Sequence, residues 1–254
     1  MILCAVRGCG ALLVRDGGRF VCALGHTFDV ARSGYVNLLQ PQERRSKVPG
    51  DSEEAVAARR RVHERGVTRP MLEAISSVLA FSADDVVLDA GCGDGWFLGE
   101  SHRQHGFTGF GIDISTPAIE LAAKRYPDCT WIVGNADRFV PLADRSVTKV
   151  LSITARMNAP EFRRVLRDDG MLLVAVAAPE DLVELRGAGK DRVAKTIETF
   201  APQFSLSSQR RVTAVVEVDS ETVRDLRLSI YRPRGGTDVA RVTLSLDLLV
   251  FAPM

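Results

Sequence analysis

The run Val86-Val87-Leu88-Asp89-Ala90-Gly91-Cys92-Gly93-Asp94-Gly95-Trp96 constrains this chain more than any other stretch. A short apolar strand, closed by Asp89, feeds a glycine-rich turn that opens a helix. Glycine lets the backbone turn tightly there and lets a ligand approach without a Cβ in the way. The start of the helix offers free N–H groups and a positive dipole end to a carboxylate or phosphate. The spacing is G-x-G-x-G, distinct from the G-x-G-x-x-G of the dinucleotide fold.

The sequence supplies the strands that such a turn needs beside it. Apolar stretches at Phe107 to Ile114, Cys129 to Val133, Val147 to Ile153 and Met171 to Ala177 alternate with helical patterns such as Pro117 to Arg125 and Ala159 to Leu166. Continuous apolar strands alternating with helices predict an α/β, doubly wound, mostly parallel sheet. Two late β-type segments, Arg211 to Val218 and Val239 to Phe251, surround a helix at about Ser220 to Leu228. They suit an antiparallel hairpin closing one edge of a seven-stranded sheet. Upstream, Asp51 is placed to cap a helix with Glu54 three residues on, and Pro70 sits in the first turn of another.

Two further elements lie at successive strand ends. Asp113, with Ile114 after it, closes the second strand, where an acidic side chain can accept hydrogen bonds from both hydroxyls of a ribose. Asn135 and Ala136, followed by Asp137, come after the third strand, the edge expected to frame an adenine.

The first 39 residues are short, punctuated by glycine and rich in cysteine, too small to build a core alone. Cys4-x4-Cys9 and Cys22-x3-His26 are two ligand pairs at spacings suited to one tetrahedral zinc ion. A small module without a core needs such a staple. Three cysteines and one histidine leave no open position, so the ion is expected to be structural. Cys92 and Cys129 read as packing residues.

Composition sets the remaining bounds. Hydrophobic residues at 46% and charged residues at 26% suit a globular chain of 254 residues. No apolar run approaches the ~20 residues needed to cross a bilayer. The N-terminal stretch lacks the pattern of a signal peptide, which leads us to expect a cytoplasmic location. A net charge of +1 means that nucleic-acid contact has to come from a local basic patch.

From Val86 to Ala177 the layout resembles the class I S-adenosylmethionine-dependent methyltransferases. That resemblance implies a methionine site at Gly91, Gly93 and Gly95, a ribose site at Asp113 and an adenine site at Asn135 with Ala136. Trp96 suits either a cover over the cofactor or a buried core indole. A narrower resemblance rests on Cys22-x3-His26-x-Phe28-Asp29, on Gly34-Tyr35-Val36-Asn37-Leu38-Leu39, and on Arg44-Arg45-Ser46-Lys47-Val48-Pro49-Gly50-Asp51-Ser52 with Arg59-Arg60 beyond. These are similar to the RlmA-type 23S rRNA guanine-N1 methyltransferases, which include macrolide (tylosin-type) resistance enzymes. The resemblance implies a dimeric enzyme that uses S-adenosylmethionine, with zinc, to methylate N1 of a guanine in a 23S rRNA hairpin loop lining the peptide exit tunnel.

On that reading residues 1–39 form a zinc-binding RNA-recognition module, 40–69 a basic linker and helix, and 70–254 the methyltransferase domain. Arg44, Arg45 and Lys47 on the loop, with Arg59, Arg60, Arg61 and Arg65 on the helix, would meet RNA phosphates. The chain departs from the family at the expanded x4 knuckle. It departs again at Arg156, where proline is expected, and at Thr68 and Asp181, where aromatic or histidine groups are expected near the cofactor. Asp137 and Asp181 are candidate proton acceptors. A small-molecule methyltransferase with a zinc lid, or an rRNA-binding relative that transfers nothing, would share many of these features. Label transfer from the cofactor to RNA separates them.

Overall fold

The computed structural model describes residues 1–43, 50–155, 157–230, 233 and 239–254. Arg44, Arg45, Lys47 and Arg156 lie outside the described residues. In chain order, β1 (Leu13–Asp16), β2 (Arg19–Cys22) and β3 (Thr27–Asp29) form a small antiparallel sheet, and β4 (Val36–Asn37) follows. Helices α1 (Glu53–Glu64) and α2 (Arg69–Leu79) then lead into β5 (Val86–Ala90) and α3 (Trp96–His105). Next come β6 (Thr108–Asp113), α4 (Thr116–Arg125), β7 (Thr130–Val133), β8 (Val147–Ile153), α5 (Ala159–Val165) and β9 (Leu166–Ala177). The chain ends with α6 (Val183–Arg186), α7 (Val193–Phe200), β10 (Phe204–Glu217), α8 (Ser220–Ser229) and β11 (Arg241–Pro253).

The main sheet has the order β10-β11-β9-β8-β5-β6-β7-β4. Strands β4 to β9 pair in parallel, while β11 runs antiparallel to both β9 and β10. The late hairpin thus closes one edge, as the alternating pattern predicts. The order reverses between β5 and β8, and in open α/β sheets ligands bind outside the carboxyl ends of the strands at such a switch point.

An eighth strand closes the opposite edge. Val36 pairs with Ile132 and Asn37 with Val133, so the segment after the small module extends the main sheet. Ile2 bridges Leu142, and the amide of Leu3 donates to the carbonyl of Pro141 at 2.9 Å. Ile2, Cys4, Leu13, Cys22 and Val36 share one buried cluster with Ile132, Val140 and Leu142. The module therefore borrows the core that it could not build alone. A two-residue strand carries no periodic signal, which is why sequence pattern counts seven strands.

Helix starts show the capping chemistry at work. Ser52, rather than Asp51, caps α1, its hydroxyl accepting from the amide of Ala55 at 3.2 Å. Pro70 sits in the first turn of α2, where its missing N–H costs nothing.

Candidate active site and metal centre

The turn after β5 reverses sharply. The amides of Gly91 and Cys92 both donate to the carbonyl of Ile112, at 2.8 and 3.1 Å, which ties the turn to the end of β6. Gly91 has φ +84, and a Cβ there would lie 2.5 Å from Cβ of Ala155. Only glycine lets the turn after β5 approach the turn after β8 this closely. Gly93 is different, since a Cβ there would meet only Nη1 of Arg59, at 3.5 Å. Gly93 therefore faces open space under an arginine. Gly95 faces inward, toward the rings of Trp131 and the methyl of Ala122. Its smallness serves packing against α4 and β7.

Asp113 ties the glycine turn to the start of α4. Its Oδ2 accepts from the amide of Gly93 at 2.9 Å and its Oδ1 from the amide of Ser115 at 2.8 Å. Burial raises its pKa, while those two amides oppose the shift. Asp89 is more deeply buried and has an Oδ1 with no hydrogen-bond partner. Burial, with Asp113 and Asp94 adding like charge, pushes its pKa up to about 8. Asn135 accepts from the amide of Asp137 at 3.1 Å, and the carbonyl of Ala136 accepts from Nδ2 of Asn158 at 2.9 Å. Asn158 thereby joins the loop after β7 to the loop after β8, and its Oδ1 also caps α5.

A cleft of about 500 Å³ opens beside these loops, lined by Asp137, Ala155, Met157, Asn158, Pro160 and Thr199. Ala155 belongs to both the cleft wall and the Gly91 contact, so the cleft adjoins the glycine turn. Thr199 comes from the last turn of α7. At the end of β8, Thr154 adopts φ +49, a conformation that a β-branched residue rarely takes.

Arg60, expected with its neighbours on α1 to face RNA, is turned inward instead. Arg60 is buried, with Nε 3.1 Å from Oδ2 of Asp94, Nη2 donating to the carbonyl of Asp94 and Nη1 donating to the hydroxyl of Tyr126. Side-chain exposures of 7% for Arg60 and 3% for Asp94 leave no route to a phosphate. Arg61 and Arg65 both clamp the carboxylate of Asp225 on α8 at 2.6 Å, fixing one helix to the other. Arg59 turns toward Gly93. A run of arginines on a helix gives no warning of such partners, because the partners come from distant segments.

Trp96 is also turned inward. Its indole is 7% exposed and stacks on the ring of His63, with centroids 4.5 Å apart and planes within 5°. Any contact with a cofactor would pass through its backbone at the start of α3. His63 shares a short hydrogen bond of 2.6 Å with the hydroxyl of Thr68 and lies 3.6 Å from Asp94. Burial pulls its pKa down to about 4, opposed by Asp94 and assisted by Arg59 and Arg60. Asp181, the other candidate acceptor, is buried, held by Arg186 and by the amide of Ser245. That position makes it a support for β11.

In the small module, the ligand atoms of Cys4, Cys9, Cys22 and His26 all lie within 4.8 Å of one another. Sγ of Cys9 is 3.8 Å from Sγ of Cys22, and Nδ1 of His26 is 3.4 Å from Sγ of Cys22 and 3.5 Å from Sγ of Cys4. A tetrahedral zinc with Zn–S near 2.3 Å and Zn–N near 2.0 Å has edges of about 3.8 and ~3.5 Å, so the cluster matches zinc. A disulfide would bring two sulfurs to about 2.05 Å, which excludes a Cys9–Cys22 bond here. The expanded first knuckle is absorbed by a turn in which the amide of Cys9 donates to the carbonyl of Val6.

The cofactor also fits. S-adenosylmethionine carries an ammonium and a sulfonium, and the partnerless Oδ1 of buried Asp89 marks a place where a hydrogen-bond donor, such as that ammonium, is wanted. Gly93 keeps the space beside it free of a Cβ. Fold and sites thus define a class I S-adenosylmethionine-dependent methyltransferase with an N-terminal zinc ribbon.

Comparison with known proteins narrows the class. Residues 4–47 match the family described as RlmA, N-terminal, a zinc ribbon, and residues 87–170 match a methyltransferase domain family. The 23S rRNA (guanine(748)-N(1))-methyltransferase of Streptomyces fradiae is 33% identical over 85% of this chain and 80% of its own length. A relative from Micromonospora griseorubida is 36% identical over 65% of this chain and 60% of its own length. In fold, the chain superposes with a TM-score of 0.55 and 20% identity on a chain from the complex between the Haloferax volcanii Trm112 methyltransferase activator and a methyltransferase. That match covers 80% of this chain and 98% of the other. The chain belongs to the RlmA-type 23S rRNA (guanine-N1) methyltransferase family.

Proposed function

We propose that the chain transfers a methyl group from S-adenosylmethionine to N1 of a guanine in a hairpin loop of 23S rRNA, in the cytoplasm. The observation that carries this reading is the cleft beside the glycine turn, joined to it through Ala155 against Gly91. A volume of about 500 Å³ accommodates a nucleobase turned out of its stack. The cofactor supplies an electrophilic methyl group on a sulfonium whose departure as a neutral thioether needs no acid. What the chain's own residues must do is hold the base in line and remove the N1 proton. Asp137, exposed on the cleft rim, is the carboxylate that would receive it.

Gly91, Gly93 and Gly95 with Asp89 would form the methionine end of the site, Asp113 and Ile114 the ribose end, and Asn135 with Ala136 the adenine edge. The RNA would run over the basic loop of Arg44, Arg45 and Lys47. A second basic rim supports the same path. Lys190, Arg192 and Lys195, at the start of α7, are exposed and make no ion pair among the described residues. In this reading the functional division falls at 1–39, 40–69 and 70–254, although β4 fuses the first part to the sheet of the last. A homodimer belongs to the same proposal, and light scattering of the zinc-loaded chain tests it.

The decisive experiment incubates the chain with labelled S-adenosylmethionine and 23S rRNA, then maps primer-extension stops, because a methyl on N1 blocks pairing. Label on RNA with a stop at a guanine is the expected result. No label on RNA, with cofactor binding intact, would overturn the reading.

A further inference from the structure

We infer that Arg59 is the residue that receives the carboxylate of the methionine portion of S-adenosylmethionine, with Asp51 as its positioning residue. The guanidinium is held from one side only. Nη2 lies 2.6 Å from the carboxylate of Asp51 and donates to the carbonyl of Ser229 at 3.3 Å. Nη1 makes no hydrogen bond to a described residue, and it sits 3.5 Å from where a Cβ on Gly93 would be. The arginine is therefore oriented by two fixed acceptors and presents its unused donors over the one glycine of the turn that faces open space.

Charge points the same way. The glycine turn, flanked by Asp89, Asp94 and Asp113, carries no cation of its own to meet the cofactor's carboxylate. A cation has to be supplied for that group. Arg60 cannot serve, since it is buried and neutralised by Asp94. Arg59 keeps 28% side-chain exposure and is close enough to Asp113 to act on its ionisation. A guanidinium in a fixed orientation is suited to a carboxylate, and the bond is charge-assisted.

The arrangement also ties both ends of the cofactor site together. The hydroxyl of Ser115 donates to the carbonyl of Asp51 at 2.9 Å, and the amide of Ser115 donates to Asp113. Asp113, which would hold the ribose, and Arg59, which would hold the carboxylate, are thus linked through Ser115 and Asp51. This inference rests on the cofactor alone and stands whether or not the methyl acceptor is RNA.

Calorimetry on the full zinc-loaded chain tests it, with S-adenosylmethionine and its decarboxylated analogue as the two probes. A charge-assisted hydrogen bond makes the expected preference for the intact cofactor about 10- to 100-fold. In Arg59→Met that preference collapses, both probes binding at the weaker constant, while retained binding of the analogue shows that the site is folded. Asp51→Asn keeps the guanidinium but loosens it, so the preference shrinks without vanishing. The inference is overturned if Arg59→Met weakens both probes equally, or if it leaves both unchanged and weakens only RNA binding.

Discussion

Arg60 and Asp94 form an ion pair at 3.1 Å with both side chains sealed from water, directly behind the glycine turn. Removing one partner of a buried pair leaves the other charge uncompensated, at a cost of about 3–5 kcal/mol. Arg60→Met is expected to lower unfolding free energy by that amount in urea titration. If stability is unchanged and only RNA affinity falls, the arginine is a surface group after all.

The approach of Gly91 to Ala155 predicts a partial rescue. Gly91→Ala places a methyl 2.5 Å from Cβ of Ala155 at φ +84. Overpacking and the left-handed backbone together cost about 2–4 kcal/mol. Cofactor affinity should fall with stability, since the turn must move. Adding Ala155→Gly removes the clash but leaves the backbone strain, so thermal melting should recover only in part. Full recovery, or none, would contradict the geometry.

His63 makes stability depend on pH in a defined window. The unfolded chain binds its proton near pH 6.5, whereas the folded chain does so only near 4. Between these values the unfolded state holds more protons, so stability falls as pH drops from 6.5 toward 4, by about 3 kcal/mol in all. Asp89, raised to about 8, acts in the opposite sense, its carboxyl losing stability as pH climbs from about 4 to 8. The difference between the protein and His63→Gln therefore isolates the histidine, and parallel urea midpoints at pH 7 and pH 5 would refute it.

Zinc should hold more than the ribbon. Cys4 and Cys22 are buried in the cluster that contains Leu142 and Val36. Cys22→Ala is expected to lose the bound ion in native mass spectrometry and to lower the melting temperature of the whole chain. A variant that keeps one full equivalent of zinc would show that Cys22 is not a ligand.

Reversing charge at Lys190, Arg192 and Lys195 should weaken RNA binding while sparing cofactor affinity. Each phosphate that is no longer neutralised should reduce the salt dependence of binding by about one unit of slope. An unchanged slope in filter binding across salt concentrations would remove this rim from the RNA path.

The parts of the fold that are legible in sequence are those whose chemistry is local. The glycine turn, Asp113 and the four zinc ligands each depend on a few residues at fixed spacing, so their pattern survives without knowledge of the rest. The arginines of α1 depend on Asp94, Tyr126 and Asp225, which lie far along the chain, and nothing in Arg59-Arg60-Arg61 announces them. For the same reason the turn of Trp96 toward His63 has no local signature. The cap at Ser52 shows the limit at short range, where Asp51 and Ser52 are both good caps and the pairing of Asp51 with Arg59 decides between them.

The pairing of β4 with β7 has a consequence for synthesis on the ribosome. The ribbon leaves the exit tunnel before the edge it docks on has been translated. Until β7 emerges, the apolar side of the nascent ribbon has nothing to cover it, and vectorial folding must wait on the middle of the chain.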